Sequence, residues 1–382
     1  MSLELSAKVT LGNLVFGSHS PDIAVNLSVL PGVNSFTVRL PAGVKLEAAP
    51  GDPAVLQLEN GDQAPEGGLG ALAGAAASAL GGGAAGALGA LGSALGGSGS
   101  SAPPGTVITG KLTSIHRSVS GTQVTAADGG ADLGGFRPAN TFERQSGADV
   151  IKNLAAEVGI EIDTVDLDLP LAAYVAHQGR TAAEHIAYLA RLSGAWATFN
   201  AGGALAVRAW PEDEAELALL YGREIVSYEV RERPGPQAER VGIGNGPAGS
   251  PDAGNALRFD KEALPGGAKA PGTGAIWQAS PILRTPKAAT TASQAANGEA
   301  ASGATRIYAR CFLLPALRPG MVVEVQELPG GLSSGPWALA RVTHRLKPEL
   351  GGVTTFEGWA AGKAGGGGDL LGSALAAIGG LL

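Results

Sequence analysis

Cysteine is almost absent from this chain of 382 residues: Cys311 stands alone, which excludes an intrachain disulfide and any metal site built on several thiolates. It lies in Ile307-Tyr308-Ala309-Arg310-Cys311-Phe312-Leu313-Leu314, an apolar run, and reads as a small buried hydrophobe. A basic surplus is missing too. Lys and Arg number 27 against 34 acidic residues, a formal charge of −7, which argues against gripping a phosphate backbone. A mildly acidic wall would instead let a polyanion slide past without sticking. The amino terminus, Met1-Ser2-Leu3-Glu4-Leu5-Ser6-Ala7-Lys8-Val9, has neither a basic start nor a long apolar core, so it is expected to form a strand rather than a secretory signal.

Catalytic spacing is also lacking. Histidines 19, 116, 177, 185 and 344 are scattered, with no HExxH pattern and no cysteine partners. Gly242-Ile243-Gly244-Asn245-Gly246 has no helix pattern after it and no Lys-Ser pair to close a phosphate loop. Asp163, Asp166 and Asp168 cluster, and Asp166 and Asp168, alternating with apolar residues, read as the wet face of a strand, while Asp128-Gly129-Gly130-Ala131-Asp132-Leu133-Gly134-Gly135 reads as a loop, since a calcium nonapeptide needs stacked repeats. A carboxylate pair gathered in space for wall hydrolysis leaves no trace in sequence. We nominate no catalytic, cofactor-binding or metal residue, and no cofactor.

What the chain does contain is a β-unit written twice. One copy runs Ala49-Pro50-Gly51-Asp52-Pro53-Ala54-Val55-Leu56-Gln57-Leu58-Glu59-Asn60-Gly61, resumes at Gly110-Lys111-Leu112-Thr113-Ser114-Ile115-His116-Arg117, and continues through Gly121-Thr122-Gln123-Val124-Thr125-Ala126. The other runs Arg318-Pro319-Gly320-Met321-Val322-Val323-Glu324-Val325-Gln326-Glu327-Leu328-Pro329-Gly330, resumes at Ala338-Leu339-Ala340-Arg341-Val342-Thr343-His344-Arg345, and ends in Gly351-Gly352-Val353-Thr354-Thr355-Phe356. Each has a Pro-Gly turn, an alternating strand, a strand carrying His-Arg, a turn and a further alternating strand. Two ordinary β-meanders would share some of this. If the copies are true repeats, His116 and His344 correspond and share a structural role. Two similar surfaces per chain would become six in a trimer.

Around the copies the text changes character. From Gly67 to Gly110 no residue is charged, and Leu69 to Leu95 holds only Gly, Ala, Leu and two serines. This stretch interrupts the first copy, so 67–103 is read as an insertion: a flexible low-complexity loop, a small-residue helix against a partner, or a membrane contact. Leu371-Gly372-Ser373-Ala374-Leu375 in the tail repeats Leu91-Gly92-Ser93-Ala94-Leu95. In the middle third, Ser146 with Asp149 opens a helix whose face is Val150, Ile151, Leu154, Ala155 and Val158, stopped by Gly159. Thr181 with Glu184 opens a second, carrying Ile186, Leu189 and Ala190 to Gly194, and a hairpin follows at 195–208. Residues 246–304 read as one long polar loop.

The ordered series Gly110-Lys111-Leu112-Thr113-Ser114-Ile115, Val124-Thr125-Ala126-Ala127-Asp128, Asn140-Thr141-Phe142, Ser146 to Ala155, Thr181 to Ala190, Gly203-Ala204-Leu205, Leu317 to Val322 and Trp337 to His344 resembles the late control gene D family. These are baseplate hubs of contractile phage tails, similar to the hub half of VgrG spikes and to the hubs of phage-like injection particles. The resemblance covers roughly residues 105–360 well and 1–60 loosely.

It implies a mainly β fold with an α/β insertion: two tail-tube-like β-barrel domains flanking a small α/β domain, assembling as a homotrimer with quasi-sixfold symmetry. On that pattern residues 1–66 plus 104–137 form the first barrel, 67–103 the insertion, 138–220 the α/β domain, 221–362 the second barrel, and 363–382 a Gly-rich linker with an apolar tail. The implied role is a structural, non-enzymatic hub in the virion tail baseplate, joining a sixfold tail tube to a threefold central spike on a separate chain. Further implied partners are a tube-initiator protein and the tape-measure protein, with DNA passing through the lumen without specific binding. A type VI or extracellular injection hub, a tail-associated wall hydrolase, and a protein entering the membrane through 69–95 are the alternatives.

Overall fold

A computed structural model describes residues 5–17, 22–60, 102–209, 215–236, 238–244, 276–329, 335–347 and 351–361. The insertion lies outside them apart from Ala102 and Pro103, as does the tail at 363–382. The chain is mainly β. Its amino-terminal third forms β1 (Leu5–Leu11), β2 (Leu14–Phe16), β3 (Asp22–Ser28), β4 (Ser35–Leu40), β5 (Pro53–Asn60), β6 (Thr106–Ser118) and β7 (Gly121–Ala127). Alternation explains these strands. In β4, Phe36, Val38 and Leu40 are buried while Arg39 faces water, and each such burial stabilises by about 1.5–3 kcal/mol.

The middle third holds α1 (Gly129–Gly135), β8 (Asn140–Ser146), α2 (Gly147–Glu157), β9 (Ile162–Val165), β10 (Pro170–Ala176), α3 (Ala182–Leu192), β11 (Ala195–Phe199) and β12 (Leu205–Ala209). Both expected capping boxes are present. The Ser146 hydroxyl accepts from Asp149 N–H and the Asp149 carboxylate from Ser146 N–H, with Thr181 and Glu184 reciprocating in the same way. Val150, Ile151, Leu154 and Ala155 of α2 are buried against Ile186, Leu189 and Ala190 of α3 in a core shared with β11 and β12.

The remainder forms β13 (Leu217–Leu220), β14 (Ile225–Glu232), β15 (Arg240–Gly244), β16 (Ile276–Ser280), α4 (Pro286–Ser302), β17 (Thr305–Phe312), β18 (Val322–Gln326), β19 (Trp337–Lys347) and β20 (Gly351–Ala360). Thirteen strands from both ends of the chain make one sheet. Its main path runs β14-β17-β20-β19-β3-β4-β7-β6-β5-β1-β2, with β18 beside β19 and β13 beside β18. One apolar core serves strands from both ends.

Three expectations need correction. The long polar loop at 246–304 contains β16 and the 17-residue α4. The Thr285 hydroxyl caps that helix from Ala288 N–H, Pro286 starts it, and Ala288, Ala289, Ala292 and Ala296 bury a stripe of small side chains. Ser293 and Asn297 accept from the N–H groups of Gly242 and Arg240, clamping α4 to β15. Alanine gives little hydrophobic contrast, so the sequence reads as loop there. The Asp128–Gly135 stretch is also helical, because the Asp128 carboxylate accepts from Gly130 N–H and Leu133 is fully buried. Finally, the strand at Ile162 stops at Val165, before Asp166 and Asp168.

Candidate assembly interface

The two β-copies share one hydrogen-bonded junction. In the first, Gly51 N–H donates to the Leu112 carbonyl and Leu112 N–H to the Asp52 carbonyl, both at 2.8 Å. In the second, Gly320 N–H donates to the Leu339 carbonyl and Leu339 N–H to the Met321 carbonyl, again at 2.8 Å. Gly51 and Gly320 both take positive φ, 98° and 91°, which a side chain resists. Each long strand then bulges at once: β6 against β7 between Leu112 and Ser114, β19 against β20 between Leu339 and Arg341.

The bulges fix the alignment and overturn one expectation. Leu112 equates with Leu339, Ile115 with Val342, and Arg117 with His344. His116 therefore answers to Thr343, one residue away from the sequence alignment. A one-residue slip turns a strand position to the opposite face, and His116 is exposed whereas His344 is fully buried. The two histidines share no role.

Past its bulge, β19 pairs antiparallel with β3 through Arg341↔Ser28, Val342↔Leu27, Thr343↔Asn26, His344↔Val25, Arg345↔Ala24 and Leu346↔Ile23. This seam joins the two copies. Val342, Leu27, Val25 and Ile23 are all buried along it. Arg318 reaches across, donating from Nη1 to the Val107 carbonyl at 2.7 Å.

Three ionisable groups lie inside this region. Burial pushes the Asp128 carboxyl up to about 7, opposed by hydrogen bonds from Gly130 and Asn34 and by the charge of Arg318. Burial brings Arg318 down to about 10, and burial with the Arg318 charge brings His344 down to about 4. The Thr354 hydroxyl accepts from Leu314 N–H and lies within hydrogen-bond distance of His344 Nδ1, at 2.9 Å. At neutral pH His344 is thus uncharged and Arg318 is the fixed positive charge. Nothing in the sequence marks this trio, because its members come together only in the fold.

Elsewhere the singled-out residues have ordinary surroundings. His185 is buried between Tyr174 OH, 2.6 Å from Nδ1, and the His177 carbonyl, 3.0 Å from Nε2. Asp163 pairs with Arg208 and Asp168 with Lys287. Cys311 is buried, and desolvation pushes its thiol up to about 12. Among the described residues no three His, Cys, Asp or Glu side chains gather as metal ligands, and no helix is long and apolar enough to cross a membrane.

Among the described residues, β6 and β14 each have a strand edge without a partner strand. Beyond Leu112, β6 pairs with β7 on one side and with no described strand on the other. At the end of the sheet, β14 pairs only with β17 among the described strands.

No protein-family model and no curated protein matches the sequence. Solved structures do match the fold. The 43 kDa tail protein of prophage MuSo2 from Shewanella oneidensis superposes with a TM-score of 0.59 at 14% identity, covering 93% of this chain and 98% of that one. The tail protein from Neisseria meningitidis MC58 gives 0.58 at 12% identity, over 93% and 96% of the two chains. The E. coli c3393 protein, a type VI secretion component with structural similarity to T4 tail proteins gp27 and gp5, gives 0.52 at 8% identity over 95% and 76%. The chain has the fold of these phage-tail and secretion proteins.

Proposed function

We propose that the chain is a structural hub of a contractile tail or injection particle. Three copies form a ring that joins a sixfold tail tube to a threefold central spike and stays open as part of the ejection conduit. The carrying observation is the duplication, seen in the matched bonds of Gly51 with Leu112 and Gly320 with Leu339. A threefold ring of such chains offers six similar β-units to the tube and three copies of everything else to the spike. In this reading residues 1–66 with 104–137 and residues 221–362 are the two tube-like domains, with 138–220 between them. The likeness in fold to tail proteins supports the same reading.

The work is mechanical. The ring holds the spike, nucleates the tube, and lets DNA pass a lumen that a net charge of −7 leaves without affinity for phosphate. The uncharged insertion and the tail contact the spike, the tape-measure end or the target envelope. The fold shared with c3393 favours a second setting for the same role, a type VI or related injection particle, and neighbouring genes separate the two. Native mass spectrometry, alone and with the adjacent spike gene co-expressed, tests the proposal. A trimer and a three-to-three complex support it; a monomer indifferent to the spike overturns it.

A further inference from the structure

The seam inside one chain has an empty counterpart at the chain's two bare edges. The ladders extend the equivalence outward from Leu112 and Leu339. Strand β7 answers to β20, with Val124 placed like Phe356 opposite Ile115 and Val342. Strand β4 answers to β17, burying Phe36, Val38 and Leu40 where β17 buries Ile307, Ala309 and Cys311. Strand β3 answers to β14, with Ile23 and Val25 in the places of Tyr228 and Val230.

Within the chain, β19 beyond its bulge is covered by β3. Among the described residues no strand covers the equivalent stretch of β6, nor the free side of β14, the equivalent of β3. A bare edge leaves a row of N–H and C=O groups that template a further strand. Each protomer thus exposes one edge of each kind, and the chain already shows how such edges fit together.

We propose that β6 of one copy pairs antiparallel with β14 of the next, in the register of the internal seam. Transposing the ladder of β19 on β3 sets Ser114 opposite Arg233, Ile115 opposite Glu232, His116 opposite Arg231, Arg117 opposite Val230 and Ser118 opposite Glu229 of the neighbouring copy. Charge agrees with this register. Arg117 falls diagonal to the neighbour's Glu232, within reach across a ladder, and His116 lies by its Arg231–Glu229 ion pair. Apolar exposure agrees as well. Val119, fully exposed at the tip of the β6–β7 hairpin, comes beside the neighbour's Tyr228 and Val226, the latter half-exposed in the single chain.

The contact is heterologous, since two different edges meet, and a heterologous contact closes into a ring where its rotation fits. The inference rests on the trimer reading and supplies the contact that builds it.

Disulfide trapping tests the register. In an antiparallel pair, directly opposite residues lie about 4.5–5.5 Å apart between Cα atoms, within disulfide reach. The full-length chain carrying Ser118→Cys and Glu229→Cys is oxidised mildly, with buried Cys311 left in place. Bands at two and three times the chain mass are expected, and neither single variant gives them. His116→Cys with Arg231→Cys should link in the same way. Ser118→Cys with Val230→Cys, which sets the thiols on opposite faces, should lose the bands.

Thermal midpoints equal to the native chain's establish that the variants fold. A trimer by native mass spectrometry in which neither matched pair links, or in which the mismatched pair links instead, overturns the pairing and leaves the hub reading standing. Absence of any trimer overturns both.

Discussion

Val29 N–H donates to the Ala340 carbonyl at 3.2 Å, opening the ladder that ties the amino-terminal strands to the carboxyl-terminal ones. Six paired positions follow on β19, with partners on β3 from Ser28 to Ile23, and Leu27, Val25 and Ile23 are buried. Truncating Leu27 to Ala should therefore cost about 2–5 kcal/mol. Its exposed neighbour Asn26, changed to Ala, should stay within about 0.5 kcal/mol. Denaturant titration of both variants checks the contrast.

Gly110 lies where β6 crosses close to the end of β7. A Cβ there would stand 2.0 Å from the Ala127 carbonyl oxygen, and backbone cannot yield as a side chain does. Gly110→Ala should destabilise by at least the ~1–3 kcal/mol typical of overpacking, and differential scanning calorimetry should show a lowered midpoint.

Asp128 gives the seam a pH dependence. Its carboxyl is raised from 3.8 to about 7, so between those values the folded state holds a proton that the unfolded state has lost. Stability from this source is full below pH 3.8 and falls as pH rises to 7, by on the order of 4 kcal/mol. His344 acts in the opposite sense, losing stability as pH falls from 6.5 towards 4. Asp128→Asn keeps a capping side chain and removes the first effect. Its advantage over the native chain should grow from pH 4 to 7 and then level off, as thermal melts across that range would show. Parallel profiles would contradict the assignment.

Cys311 should resist alkylation in the native protein at pH 8, since it is buried and its thiol is raised to about 12. Full labelling should require denaturant, and mass spectrometry of the alkylated chain reads this directly.

Strands β5 and β6, which flank the insertion in sequence, pair with each other, since Gln57 pairs with Thr106 and Leu58 N–H donates to the Gly105 carbonyl. Deleting 67–103 should leave a short hairpin loop and an unchanged thermal midpoint. On the hub reading it should nonetheless impair assembly or infection. Full infectivity would contradict the role assigned to the insertion.

Much of this architecture is legible in the chain. Period-2 alternation marks Ser35–Leu40, and cap residues at Ser146 and Thr181 mark the helices of the middle third. The duplication is legible as well, but only to within one residue. The bulges after Leu112 and Leu339 insert an unpaired position that no side chain announces, so the matching His-Arg pairs mislead. Helix α4 is hidden by its alanine stripe. The Asp128, Arg318 and His344 trio is hidden more deeply, since its meaning depends on β19 lying against β3.

The most direct test of the central claim is electron cryomicroscopy of the purified ring. The account predicts threefold particles in which six similar β-units surround an open lumen, alternate joints being the β19–β3 seam and the β6–β14 contact. Monomers, or a twofold dimer with both edges still bare, would contradict it.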